Sequence, residues 1–159
     1  MMGLLLQIVL EFISKGVEHG HMHLDKTTNE FPLLLLISLS IHSLLEGFPL
    51  VQSEHLLIGV VIHKIPVAAI LSAFLLNSRI SKPKAILFMA LFAIMTPMGS
   101  WLQANFQEIS VYGTYINAIV IGIFLHVSTT ILFEASKNHS FNAAKLGVII
   151  FAIGLAYFL

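Results

Sequence analysis

Three side chains in this sequence combine metal-ligand chemistry with positions where ionisable groups are costly. His42 and Glu46 stand four residues apart inside the apolar run LLLLISLSIHSLLEGFPL (33–50), and His63 stands inside the next, LLIGVVIHKIPVAAILSAFLL (56–76). A spacing of four puts His42 and Glu46 on one helix face, one turn apart, so an imidazole nitrogen and a carboxylate oxygen can meet the same cation. Imidazole suits zinc and its first-row neighbours, and a carboxylate widens the tolerance toward Mn²⁺ or Fe²⁺. The connection between the two runs, VQSEH, is only five residues long. The runs are therefore antiparallel neighbours whose midpoints meet at one depth, where three ligands converge. A lone intramembrane histidine bonded to a backbone carbonyl is the bland alternative for His42; Glu46 on the same face and His63 across the turn weigh against it.

The residues around this set have two readings each. Lys64 is either the counter-ion of Glu46 or a fixed ammonium where a second cation would sit, and the two are compatible. Pro66 removes a backbone N–H and frees the carbonyl of Ile62, leaving an acceptor near the middle of the run. Pro97, in IMTPMG, does the same to a later run, where Thr96 offers an oxygen. His126, in IGIFLHVSTTILFE, also sits mid-run, and the hydroxyls of Ser128, Thr129 and Thr130 beside it favour packing between helices over ligation. His19, His21 and His23, in EHGHMH, form an alternating tract that can collect transition metals or simply be solvated. No HExxH stands in any run, which argues against an intramembrane metalloenzyme, and the absence of cysteine excludes disulfides and thiolate sites.

The elements that must position these residues are membrane helices. The 159 residues are 57% apolar and 10% charged, with a mean hydropathy of +0.93; soluble domains carry about 25% charged residues. Basic and acidic residues balance at eight each, so nothing in the net charge attracts nucleic acid. A spanning helix needs about 20 predominantly apolar residues. Five runs qualify, at approximately 32–51, 55–76, 84–103, 113–134 and 143–159. The opening MMGLLLQIVLEF has no basic region or cleavage site of a signal peptide and reads as the second half of a spanning helix, residues 1–14. The polar stretch 15–30 is then a loop. The expectation is an all-α integral membrane protein in a single domain, five full transmembrane helices plus one N-terminal partial helix.

Charge also fixes an orientation. Lys15, Lys26, Arg79, Lys82, Lys84, Lys137 and Lys145 fall in alternate connections, while VQSEH and QANFQEISVYGT carry no Lys or Arg. By the positive-inside rule the basic side, including the histidine loop, is cytoplasmic and both termini face outside. The eighth basic residue, Lys64, is the one left within the membrane.

In order along the chain, HSLLEG, HKIPVA, MTPMG and GIFLH resemble the last five helices of the ZIP (Zrt-, Irt-like) family of divalent metal transporters, and HGHMH resembles the loop between that family's third and fourth helices. The resemblance implies an elevator-type carrier of zinc, and often iron or manganese, into the cytoplasm, placed in the cell membrane as a multi-pass protein. It implies His42, Glu46 and His63 as metal ligands, Ser43 where many members have Asn, and Lys64 in place of an acidic ligand of a second metal. Val67 stands where other members carry a Glu ligand, so the ligand set is reduced. The family's first two helices and much of the third have no counterpart here; a fragment of a longer sequence, a half-transporter completed by another chain and a degenerate relative all fit that departure. A homodimer or a complementing chain is the partner to look for, and a non-transporting metal-binding subunit or sensor is the alternative function.

Overall fold

A computed structural model describes residues 1–14, 31–52, 54–134, 147, 150–154 and 157. Among the described residues every regular element is a helix: α1 (Met2–Ser14), α2 (Leu33–Gly47) running into a 3-10 turn (Phe48–Gln52), α3 (Glu54–Asn77), α4 (Lys82–Asn105), the one-turn α5 (Gln107–Val111) and α6 (Gly113–Glu134). Four stretches are long and apolar enough to cross a membrane, Leu33–Gln52, His55–Asn77, Lys82–Asn105 and Gly113–Thr130, matching the first four expected spans. The chain is an all-α membrane protein. The fifth expected span, 143–159, is described only at 147, 150–154 and 157, all helical, and the loop 15–30 with His19, His21 and His23 lies outside the described residues. The short helix α5 inside QANFQEISVYGT was not expected from the sequence.

Local chemistry sets the helix ends. Pro32 stands as the N-cap of α2, where its missing N–H costs nothing. At the other end Pro49 has no N–H to continue the ladder, and the helix tightens into 3-10 geometry, with the Phe48 N–H donating to Leu45 O. The carbonyls left over at the end of α3 are capped by side chains: Asn77 Nδ2 donates to Ala73 O at 2.8 Å and Ser78 Oγ to Leu75 O at 2.7 Å. Pro83 then lies in the first turn of α4, a position that tolerates it.

Residues Met1–His126 form one compact unit, and Val127–Leu159 a second that holds the last turns of α6 and the described helical residues beyond it. In the first unit the contacts fix helix directions. Ser38 Oγ donates to Leu10 O at 2.7 Å and His42 meets Gln7, so α1 and α2 are antiparallel. Thr96 Oγ1 donates to Ser43 O at 3.1 Å and Gly99 faces Leu44 and Gly47, so α2 and α4 run parallel. Ser72 of α3 reaches Met89 of α4 across the short turn joining them. A core of Leu35, Leu36, Leu39, Leu71, Leu75, Ala85, Phe88 and Phe92 fills the space between α2, α3 and α4. Outside it, Val61, Ile62, Ile65, Ile70 and Leu76 of α3 are exposed. That surface would promote association in water; in a bilayer it meets a solvent of its own polarity.

Where α2 meets α4 the backbones nearly touch. A Cβ at Gly47 would collide with Thr96 O and lie 3.0 Å from Ser100 N, and one at Gly99 would collide with Leu44 O and lie 3.2 Å from Gly47 Cα. Small residues at such crossings let membrane helices approach closely enough for van der Waals attraction to hold them. Gly3 and Gly122 play the same part between α1 and α6. Gly47→Ala and Gly99→Ala are therefore expected to destabilise the solubilised protein by about 1–3 kcal/mol, as other overpacked cores are. Gly59, with nothing near its missing Cβ, serves as the control. Thermal unfolding in detergent checks this, and equal shifts for all three variants would show that the close crossing contributes nothing.

Candidate metal centre

The i, i+4 spacing on α2 brings His42 Nε2 to 2.8 Å from Glu46 Oε1, and the antiparallel α3 brings His63 Nε2 to 3.3 Å from the same oxygen. The two imidazole rings lie 6.1 Å apart, edge to face. One ligand atom from each of the three residues lies within 4.8 Å of the others, a set that can hold a metal ion. Zinc bonds of 2.0–2.2 Å to nitrogen and oxygen at tetrahedral angles separate ligand atoms by about 3.3 Å. The two separations from Glu46 Oε1, 2.8 and 3.3 Å, lie at or just below that value.

Burial grades across the set. Glu46 is fully buried, His42 is 5% exposed, and the side chain of His63 is 26% exposed. His63 is thus the member of the set most open to its surroundings and Glu46 the most sealed. If all three ligate, a tetrahedral ion keeps a fourth position open, unlike the closed four-ligand sites of structural zinc.

The remaining groups hold this set in position. Lys64 Nζ lies 2.7 Å from Glu46 Oε2, donates to Ser43 Oγ at 3.0 Å and stands 5.0 Å above the Phe92 ring. The ammonium thus takes one carboxylate oxygen and leaves the other, Oε1, toward the two histidines. Ser43 is itself buried, its hydroxyl taken by Lys64 and its carbonyl by Thr96. Thr96 therefore reaches the site through the backbone of α2 rather than by offering its oxygen to an ion. Pro66 and Pro97 are exposed; Pro66 shares the outer side of α3 with Ile62 and Ile65, away from the buried set. Val67 is half-buried and packs against the apolar core.

Two further groups emerge from α1. Gln7, fully buried, accepts a hydrogen bond from His42 Nδ1 at 3.0 Å. One turn along, Glu11 Oε2 pairs with His126 Nε2 of α6 at 2.8 Å, so His126 is held by a neighbouring helix and not brought to His42. Sequence reasoning passed over Gln7 and Glu11 because their run is short of a full span. The signal was present, since the two are spaced i, i+4 in an otherwise apolar stretch, the same pattern that draws attention to His42 and Glu46.

Comparison with known proteins bears on this geometry. The sequence profile of the family described as ZIP Zinc transporter matches residues 3–159. The protein named zntD of Dictyostelium discoideum is 30% identical over 164 residues, covering 89% of this chain and 24% of its own length; the chain thus spans about a quarter of that relative. No solved structure matches. The long apolar helices, the converging His–Glu–His set and a family match over nearly the whole length agree: the chain belongs to the ZIP zinc transporter family.

Proposed function

We propose that this chain carries a divalent metal cation, zinc first among them, across a cell membrane, with His42, Glu46 and His63 as its ligands. The observation that carries the reading is the convergence of these three side chains from two antiparallel helices onto one carboxylate oxygen. Membership of a transporter family supports carriage of the ion over chemistry upon it. Imidazole and carboxylate follow the general divalent affinity order, so Fe²⁺ and Mn²⁺ are alternative cargo. Alternating access, of the elevator type that the family resemblance implies, would expose the site first to the outside and then to the cytoplasm through two states of similar free energy.

The test is radiolabelled zinc uptake into sealed vesicles containing only this chain, with bound metal measured in the same samples. Wild-type uptake and its loss by more than tenfold in His42→Ala and His63→Ala are expected. Metal bound at His42 and His63 without uptake would assign the site to a non-transporting metal-binding subunit or sensor, which the same ligand set supports. Metal binding indifferent to both substitutions would falsify the ligand assignment.

Lys64 limits the site to one ion in this reading, because its ammonium occupies the second carboxylate oxygen. Lys64→Ala is expected to bind a second, weaker equivalent of zinc or to change the order of metal preference. Isothermal titration of the purified protein reads both, and unchanged stoichiometry with unchanged preference would leave Lys64 as a counter-ion only.

Orientation is tested through the absence of cysteine, which makes any introduced thiol unique. Arg79→Cys, just before α4, is expected to react with an impermeant maleimide only after the membrane is opened, and Glu108→Cys, in α5 beyond the other end of α4, in intact cells. The reverse pattern would invert the proposed topology and the direction of uptake with it.

A further inference from the structure

His42 is held at both ring nitrogens by oxygen. Nδ1 lies 3.0 Å from Gln7 Oε1 and Nε2 lies 2.8 Å from Glu46 Oε1. A neutral imidazole has one donor and one acceptor nitrogen. If Nδ1–H donates to Gln7, Nε2 either donates to the carboxylate as the second N–H of an imidazolium or, with that proton gone, presents a bare lone pair beside it. The latter is the tautomer in which His42 ligates a metal through Nε2. A histidine ligand ordinarily gives its other N–H to a neighbouring oxygen, which fixes the ring and raises the basicity of the ligating nitrogen. Gln7 lies in the place of that partner, although it comes from α1 and not from either helix carrying the ligands.

The identity of the partner matters as much as its position. A carboxamide carries an acceptor oxygen and a donor NH₂ on one planar group. Turned over, Gln7 offers NH₂ to Nδ1, and His42 then carries its proton on Nε2 and donates it to Glu46. One side chain therefore serves both tautomers of a neutral His42, the metal-holding one and the one that satisfies Glu46 when the ion has left. A carboxylate at position 7 could only accept, locking the metal-holding tautomer; an apolar residue would hold neither. Gln7 is fully buried, so water does not substitute for it.

We infer that Gln7 is the positioning residue of the metal centre: it aims His42 Nε2 at the cation, and the two-sidedness of its amide lets the same site release it. The inference rests on His42 being a ligand as proposed above. It is tested on the full chain in nanodiscs by competition titration of zinc against a chelator of known affinity, for wild type, Gln7→Glu, Gln7→Met and His42→Ala, with the tautomer of His42 read from ¹⁵N shifts in the zinc-loaded samples. Outer partners of this kind change metal affinity by about 10–100-fold. Gln7→Glu is expected to bind zinc at least about tenfold more tightly and to release it more slowly, Gln7→Met to bind at least about tenfold more weakly, and the protonated Nδ1 signal of His42 to persist in the first and be lost in the second.

A merely structural role would weaken both variants alike, and that result overturns the inference. So does affinity within twofold of wild type for both variants while His42→Ala abolishes binding, in which case the metal centre stands without Gln7. If His42→Ala itself binds zinc as wild type does, the ligand assignment fails and the role of Gln7 fails with it.

Discussion

A carboxylate with no access to water organises the described fold. Glu46 is fully buried in a helix flanked by leucines, and an ionised group in hydrocarbon costs several kcal/mol unless it is paired. Every polar contact around it answers that cost. His42 and His63 approach Oε1, Lys64 approaches Oε2, and Gln7, Ser43 and Thr96 hold those partners in turn. Removing Glu46 would leave a partly buried ammonium and two imidazoles facing one another, so the same residue that can bind a cation also reconciles α2 with α3.

Geometry of that quality depends on helix spacing. Lys64 reaches both Glu46 and Ser43 while standing over Phe92 of α4, which fixes three helices with one flexible side chain. Such a chain keeps its place only if the helices do. The bare backbones at Gly47 and Gly99 bring α2 against α4 closely enough for Thr96 to bond the carbonyl of Ser43, immediately beside His42. Packing and chemistry therefore meet in the same turn: Gly47 follows Glu46 directly, and the 3-10 turn imposed by Pro49 begins there.

Much of this was legible in the residues. Long apolar runs can satisfy their backbone in lipid only as helices, so the first four full spans could be placed to within a few residues, and the i, i+4 pair with His63 across a five-residue turn could converge in only one way. Less legible was the contribution of α1. Its run is short, which hid Gln7, and no local rule states which helix a lone amide will face; that follows from the crossing of α1 with α2 through Leu10 and Ser38. Thr96 and Pro66 mark the same boundary. Their residue types allowed an oxygen or a freed carbonyl at the site, and only the rotation of each helix decides which way these groups point.

Charge accounts for why a reduced ligand set suits passage. The centre sets one lysine ammonium against one carboxylate, 2.7 Å apart. Loading a divalent cation then brings two positive charges into a region where each is costly, with a single carboxylate and two neutral imidazoles to offset them. A site with further carboxylates would hold the ion more deeply and release it less readily. Here Val67 offers no ligand, Lys64 claims one carboxylate oxygen, and His63 remains partly open. In the proposed role, that balance would suit an ion bound well enough to be selected and loosely enough to leave.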